Sequence, residues 1–312
     1  VGVRLALKGR NLTSIKDLSK KEILQILRTA GKLEKLSRAK KAKLLQSHIL
    51  TYLFFEASTR TRFSFEAAAS GLGMDTLGFS GHEGSSVSKG ETLEDTIKVV
   101  SGYSDIIIMR HPEEFAAEKA AKVSSVPLIN GGDGTNEHPT QTLLDLYTIK
   151  KECKKLEGLK IGIVGALKYY RAANSLVRGL ANFKNEIYLI SHENTKMKKK
   201  FTDDLKKAKV KFTETDNLEK ILPQLDVLYV TRLAKERFSD IEGYKHYEGQ
   251  YVITNEMLKK AKPKLKVMHP LPRVDEIKKE VDETKHAVYF KQAKNGIPVR
   301  QALICELLGK KI

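Results

Sequence analysis

Apolar residues in this chain come in short runs closed by polar turns. Between the runs lie longer segments with apolar residues three or four positions apart. The runs at 49–55, 105–109, 126–129, 160–164, 186–190, 226–230 and 265–268 are rich in aliphatic or aromatic residues and bounded by turn or charged residues, which predicts strands. The segments at 20–36, 60–72, 93–101, 140–150, 170–182 and 202–208 have helical spacing and predict helices. Strand alternating with helix implies parallel sheets covered on both faces. The expected fold class is therefore α/β, with two doubly wound parallel-sheet domains. The charged stretch 150–157, ending at Gly158, reads as a hinge and places the domain boundary near residue 150.

Composition narrows the class of protein. At about 150 residues per domain, 312 residues suffice for two cores. Charged residues make up 30% and apolar ones 41%, and no apolar run approaches the roughly 18 residues that span a bilayer. The first 18 residues mix Arg4, Lys8, Arg10 and Lys16 with short apolar pieces, so no signal peptide is expected. Cys153 and Cys305 stand far apart in sequence without a CxxC or His-rich context. That argues against structural zinc and against a disulfide framework, and for a reducing, cytoplasmic compartment.

The formal net charge of +18 favours anionic partners. The densest basic stretches are 32–43 and 196–200. Glu34 interrupts the first and no aromatic residue interleaves with the second, so they read as solvated surface. Neither nucleic acid nor membrane is expected as a partner. A small-molecule site for anions is the better use of the charge.

In open α/β sheets ligands bind at the carboxyl ends of strands, so the residues that follow each predicted strand carry the candidate chemistry. After 49–55 comes Glu56-Ala57-Ser58-Thr59-Arg60-Thr61-Arg62, where Ser58 can cap a helix whose first amides, hydroxyls and Arg60 point at one anion. Arg110-His111-Pro112 follows the next strand. A Gly131-Gly132-Asp133-Gly134 turn then leads to His138-Pro139-Thr140-Gln141, and Pro139 suits the first turn of a helix with His138 at its mouth. Thr231-Arg232 and His269-Pro270-Leu271-Pro272-Arg273 close the later strands. Arginine forks match carboxylate and phosphate oxygens, so several arginines at strand ends imply substrates with several oxyanions. Gly162-Ile163-Val164-Gly165 lacks the third glycine of a dinucleotide fingerprint, and no GxxxxGK[ST] loop is present. Residues 80–90 form a Gly/Ser-rich loop whose cation is Lys89, readable as a disordered tip or as an active-site flap.

Together these motifs, with Phe54-Phe55 ahead of the first and Lys89-Gly90-Glu91-Thr92 in the loop, resemble the catalytic chains of the aspartate carbamoyltransferase family, in order and at matching spacing across nearly the whole chain. His269-Pro270-Leu271-Pro272-Arg273 and the stretch 231–237 are similar to the aspartate branch; the ornithine branch typically has cysteine where Pro270 stands. The resemblance implies transfer of a carbamoyl group from carbamoyl phosphate to the amino group of L-aspartate, in pyrimidine synthesis, with neither metal nor organic cofactor. It implies that Ser58, Thr59, Arg60, Thr61 and Arg110 hold the phosphate and that Arg60, Thr61 and His138 polarise the carbamoyl carbonyl. Gln141 and the backbone of Pro270 and Leu271 would hold the carbamoyl amide, and Arg171 and Arg232 the aspartate carboxylates. Ser86 (or Ser85) and Lys89 would enter from a neighbouring subunit, which implies a homotrimer with shared active sites and leaves room for separate regulatory chains. It further implies a carbamoyl phosphate domain over 1–138, completed by a C-terminal helix at about 292–312, and an aspartate domain over 150–291.

Four positions depart from the family pattern. Ala166 stands where Asp is usual, Tyr170 where Gly is common, Asn174 where His is common and Ala234 where Gln is usual. With Ala234 in place of Gln, the side-chain amide that would hydrogen-bond near the substrates is missing. With Ala166 in place of Asp, the carboxylate that would support Lys168 or Arg171 is missing, while the bulky Tyr170 refills some of that space. Two readings follow: a working aspartate carbamoyltransferase, or a catalytically weak paralogue that binds carbamoyl phosphate and serves as a structural or regulatory subunit.

Overall fold

The computed structural model describes residues 7–81, 89–232 and 251–312. It divides into two compact units. One runs through Leu143 and takes back Asn295–Ile312, and the other comprises Leu144–Lys294. No helix among the described residues is long and apolar enough to cross a membrane.

The first unit is built on a four-stranded parallel sheet of β1 (Ile49–Phe54), β2 (Asp75–Ser80), β3 (Ile106–His111) and β4 (Leu128–Asp133), in the order β2-β1-β3-β4. The chain winds outward from β1 to β2 and then crosses to β3 and β4. Its topological switch point, where such sheets bind ligands, therefore lies between β1 and β3. Leu53, Ile107, Met109 and Leu128 form one packed face with Ile97 and with Ala116, Ala117 and Ala120 of the helix Ala116–Val123. Three alanines let that helix approach the sheet closely, and the same small residues gave it no apolar period to be read from sequence. The tail of the helix Tyr289–Leu307 is tied into this unit. Buried Glu306 accepts hydrogen bonds from Gln25 Nε2 (2.8 Å) and Thr29 Oγ1 (2.7 Å). Arg300 donates to Ser64 Oγ at 2.7 Å with its guanidinium over the Phe65 ring.

The second unit carries β5 (Lys160–Val164), β6 (Glu186–Ile190), β7 (Lys211–Thr215), β8 (Val227–Val230) and β9 (Lys266–Met268), parallel throughout in the order β7-β6-β5-β8-β9. Here the switch point lies between β5 and β8. The helix Arg171–Leu180 buries Ala172, Ala173, Leu176, Val177 and Leu180, the stripe that its spacing predicted. The helix Pro139–Cys153 extends into the charged stretch read as a hinge, and the chain leaves it at Lys154, whose φ is +63°.

Strands β2 and β7 were not expected from the sequence. Both are sheet edges, each paired on one side, with mostly exposed side chains, so their residues show no apolar run.

Gly165 closes β5 at φ +128°, where a Cβ would lie 2.3 Å from Thr231 Oγ1 and 2.4 Å from Thr231 O. Both the dihedral and the close approach of the β8 end require glycine. Gly165→Ala is therefore expected to cost about 2 kcal/mol through backbone strain and overlap. Scanning calorimetry checks it as a melting point lowered by several degrees.

Candidate active site

In the first unit the switch point is lined by the residues that the sequence singled out. Ser58 has extended dihedrals and its hydroxyl accepts the Thr61 amide at 3.3 Å, which starts the helix Thr59–Leu72. Thr59 and Arg60 on that first turn are exposed, and Thr61 is buried. On the adjacent strand Arg110 is in register with Phe54. Its guanidinium is held from two sides, with Nε 3.5 Å from Glu56 Oε2 and Nη1 donating to Gly131 O at 3.4 Å. A helix N-terminus with an arginine held beside it presents amides and positive charge to an anion.

The turn after β4 is held by buried Asp133. Its Oδ1 accepts from Asn130 Nδ2 (2.8 Å) and the Glu137 amide (3.1 Å). Its Oδ2 accepts from the Phe115 amide (2.8 Å) and Asn136 Nδ2 (3.1 Å). The next helix begins at Pro139, so His138 sits on its lip, buried. Its Nε2 lies 3.4 Å from Thr61 Oγ1 and its Nδ1 3.5 Å from Thr140 Oγ1. Gln141 lies on the first turn, nearly buried. Asp133→Asn turns one acceptor oxygen into a donor facing donors. It should cost about 2 kcal/mol, read as a lowered denaturant midpoint, with turnover falling as His138 loses its support.

In the second unit Arg171 and Arg232 follow the adjacent strands β5 and β8. Thr231 ties the two strand ends together, its amide and hydroxyl both donating to Val164 O at 2.8 and 3.1 Å. Arg171 is the first residue of its helix, and the Tyr170 side chain makes no capping bond there. The amides of that turn, with Arg171 among them, suit a carboxylate. Ala166 is fully buried at the start of the turn Leu167–Tyr169, also without a side-chain cap. Asn174 is fully buried, and Tyr170 is half-buried. After β9, Pro270 and Leu271 are half-buried, and Leu271 has a φ of +56°.

Lys89 is exposed. Ser85, Ser86 and Ala234 lie outside the described residues. Among the described residues no group of His, Cys, Asp and Glu could hold a metal ion.

Two supporting roles escaped the sequence reading. Glu56 sits within a motif but showed no sign of holding Arg110. Glu276 lies seven residues after His269 in an irregular segment, and only its burial gives it away.

The family described as aspartate/ornithine carbamoyltransferase, carbamoyl-P binding domain, matches residues 10–151, and its companion, the Asp/Orn binding domain, matches 157–307. The chain belongs to the aspartate/ornithine carbamoyltransferase family. The aspartate carbamoyltransferase catalytic subunit of Thermococcus kodakarensis is 54% identical over 303 residues, covering 97% of this chain and 98% of that protein. The catalytic subunit of Methanocaldococcus jannaschii aspartate transcarbamoylase superposes with a TM-score of 0.89 at 48% identity, covering 96% of this chain and 98% of that one. Trypanosoma cruzi aspartate transcarbamoylase in complex with carbamoyl aspartate and phosphate superposes with a TM-score of 0.92 at 37% identity, covering 98% of each chain. The two parallel-sheet units are the carbamoyltransferase fold.

Proposed function

We infer that this carbamoyltransferase moves the carbamoyl group of carbamoyl phosphate onto the amino group of L-aspartate, giving N-carbamoyl-L-aspartate and phosphate for pyrimidine biosynthesis. The observation that carries the chemistry is the Thr61–His138 contact beside the Ser58-capped helix start, which sets two polar side chains next to an anion cradle. The names of the similar proteins supply the substrate pair.

In this reading the phosphate sits on Ser58, Thr59, Arg60, Thr61 and Arg110. Arg60, Thr61 and His138 aim donors at the carbamoyl oxygen. Gln141 and the Pro270 and Leu271 carbonyls take the carbamoyl amide, and Arg171 and Arg232 take the aspartate carboxylates. The residues around 1–138 and 292–312 serve carbamoyl phosphate, and 150–291 serve aspartate. The amine lone pair attacks the carbamoyl carbon, charge builds on its oxygen, and the bond to the phosphate oxygen breaks as the carbonyl re-forms. The departing phosphate takes the amine proton, so no protein base is required. Donors preorganised at the developing oxyanion are worth about 3 kcal/mol each in comparable sites. The arginines offset the repulsion between two anionic substrates and make their meeting effectively unimolecular.

The reading includes a homotrimer in which Lys89 and Ser86 (or Ser85) of a neighbouring subunit complete each site. Its support is a set of large apolar residues, Phe63, Leu77, Val99 and Tyr103, each roughly half exposed or more in the unit that carries Lys89. Light scattering at micromolar concentration should give three times the 35.1 kDa chain mass. The reading also places the chain in the reducing cytoplasm, in keeping with Cys153 and Cys305 both standing as thiols.

Incubation with carbamoyl phosphate and an equimolar mixture of aspartate and ornithine tests the substrate assignment. Mass spectrometry should find carbamoyl aspartate alone; citrulline as the main product contradicts the reading.

A further inference from the structure

The residues that the reading assigns to the carbamoyl amide, Pro270 and Leu271, act through backbone carbonyls, so what aims them is the conformation of the loop after β9. Leu271 stands in the left-handed region at φ +56°. A branched residue holds that conformation only where its surroundings dictate it. Those surroundings centre on His269. Its Nδ1 accepts the Leu271 amide at 2.8 Å, and its Nε2 lies 2.7 Å from Glu276 Oε1.

Glu276 and the backbone of His269 are themselves fixed. The other Glu276 oxygen accepts the Val274 and Asp275 amides, each at 3.1 Å, and the Glu276 carbonyl accepts the Ile253 amide at 2.9 Å. The His269 amide donates to Gln292 Oε1 at 2.8 Å. Gln292 Nε2 in turn donates to Asp145 Oδ1 at 2.7 Å, and Tyr229 donates to Asp145 Oδ2 at 2.9 Å. His269, Gln292 and Asp145 are all essentially buried.

A backbone amide can only donate, so Nδ1 must be the acceptor and the proton must sit on Nε2, facing the carboxylate. Burial pushes the His269 imidazole below its ordinary value, with the Arg273 and Arg232 cations acting in the same direction. Burial works against charge on Glu276, but the bonds from His269 and from backbone amides hold its carboxyl below the usual carboxylate range. Neutral imidazole beside carboxylate is what the geometry requires.

We propose that His269 is a positioning residue for the carbamoyl amide: Glu276 fixes its Nε2–H tautomer, and its Nδ1 holds the Leu271 amide, so that the Pro270 and Leu271 carbonyls face the substrate. The proposal rests on the assignment of those carbonyls to carbamoyl phosphate. His269 itself touches no substrate.

Two substitutions separate positioning from mere filling of the core. In His269→Asn the amide oxygen reaches the place of Nδ1 and can still accept from Leu271, while contact with Glu276 is lost. In His269→Gln the amide reaches toward Glu276 and leaves the Leu271 amide unmatched. The KM for carbamoyl phosphate should rise about tenfold to hundredfold in His269→Gln and stay within about threefold of wild type in His269→Asn. A packing role predicts instead that the two variants lose carbamoyl phosphate affinity alike. The 15N solid-state spectrum of histidine-labelled protein, assigned by difference against His269→Asn, should show a bare Nδ1 and a protonated Nε2. Equal KM values in the two variants, or a protonated Nδ1, overturns the proposal. Wild-type protein that fails to bind carbamoyl phosphate by calorimetry instead overturns the assignment beneath it.

Discussion

Arg60→Ala should lower kcat/KM for carbamoyl phosphate by about three to four orders of magnitude while leaving the melting temperature unchanged. Arg60 serves two purposes in the proposed mechanism, pairing with the phosphate and donating to the carbamoyl oxygen. Loss of one oxyanion donor alone costs about a hundredfold to a thousandfold in comparable sites, and loss of a charge-assisted phosphate contact adds to it. Stability should not follow, because Arg60 is exposed on the first helical turn and the cap is made by Ser58. Steady-state kinetics with calorimetry on the same preparation checks both halves. A loss below tenfold would remove Arg60 from the chemistry, and a parallel fall in melting temperature would reassign it to the fold.

His138→Ala should lower kcat by about a hundredfold to a thousandfold with the KM for aspartate little changed. The imidazole is buried on the lip of the helix that begins at Pro139, its Nε2 near the Thr61 hydroxyl and its Nδ1 near that of Thr140. A group fixed in this way before substrate arrives needs no reorganisation when charge develops on the carbonyl oxygen. Its worth is therefore realised in the transition state, which puts the loss in kcat. A variant that raises KM with kcat intact would make His138 an ordinary binding group.

The strands with buried side chains were legible and the two solvent-facing edges, β2 and β7, were not, for a physical reason. β3, β5 and β8 are buried along most of their length, so their sequences are apolar nearly throughout. β2, with Asp75, Thr76 and Gly78, and β7, with Lys211, Thr213 and Glu214, face solvent and pair on one side. Nothing in such residues distinguishes a strand from a loop. The helix Ala116–Val123 packs through alanines, too small to mark a periodic stripe.

The candidate site was legible where chemistry is written into local motifs: the Ser58 cap, Arg110 at a strand end, His138 ahead of Pro139. Its supports were not, because they join residues remote in sequence. Asp133 gathers donors from Phe115 to Glu137, and Gln292 reaches back to Asp145. Those pairings exist only once the fold has brought separate segments of the chain together.

Ala166 and Ala234, the two departures from the family pattern that remove polar side chains, both fall on the aspartate side. In the proposed site, Arg171 at a helix start and Arg232 after β8 supply the charge for two carboxylates. Yet each alanine removes polar groups that the family pattern usually provides. The most direct measurement is initial-rate formation of carbamoyl aspartate at saturating carbamoyl phosphate, with aspartate titrated to high concentration and ornithine as control. The account predicts turnover that saturates with aspartate, fails with ornithine and is nearly lost in Arg60→Ala. Carbamoyl phosphate binding without any aspartate-dependent turnover would contradict it and leave a carbamoyltransferase-fold protein that has lost the reaction.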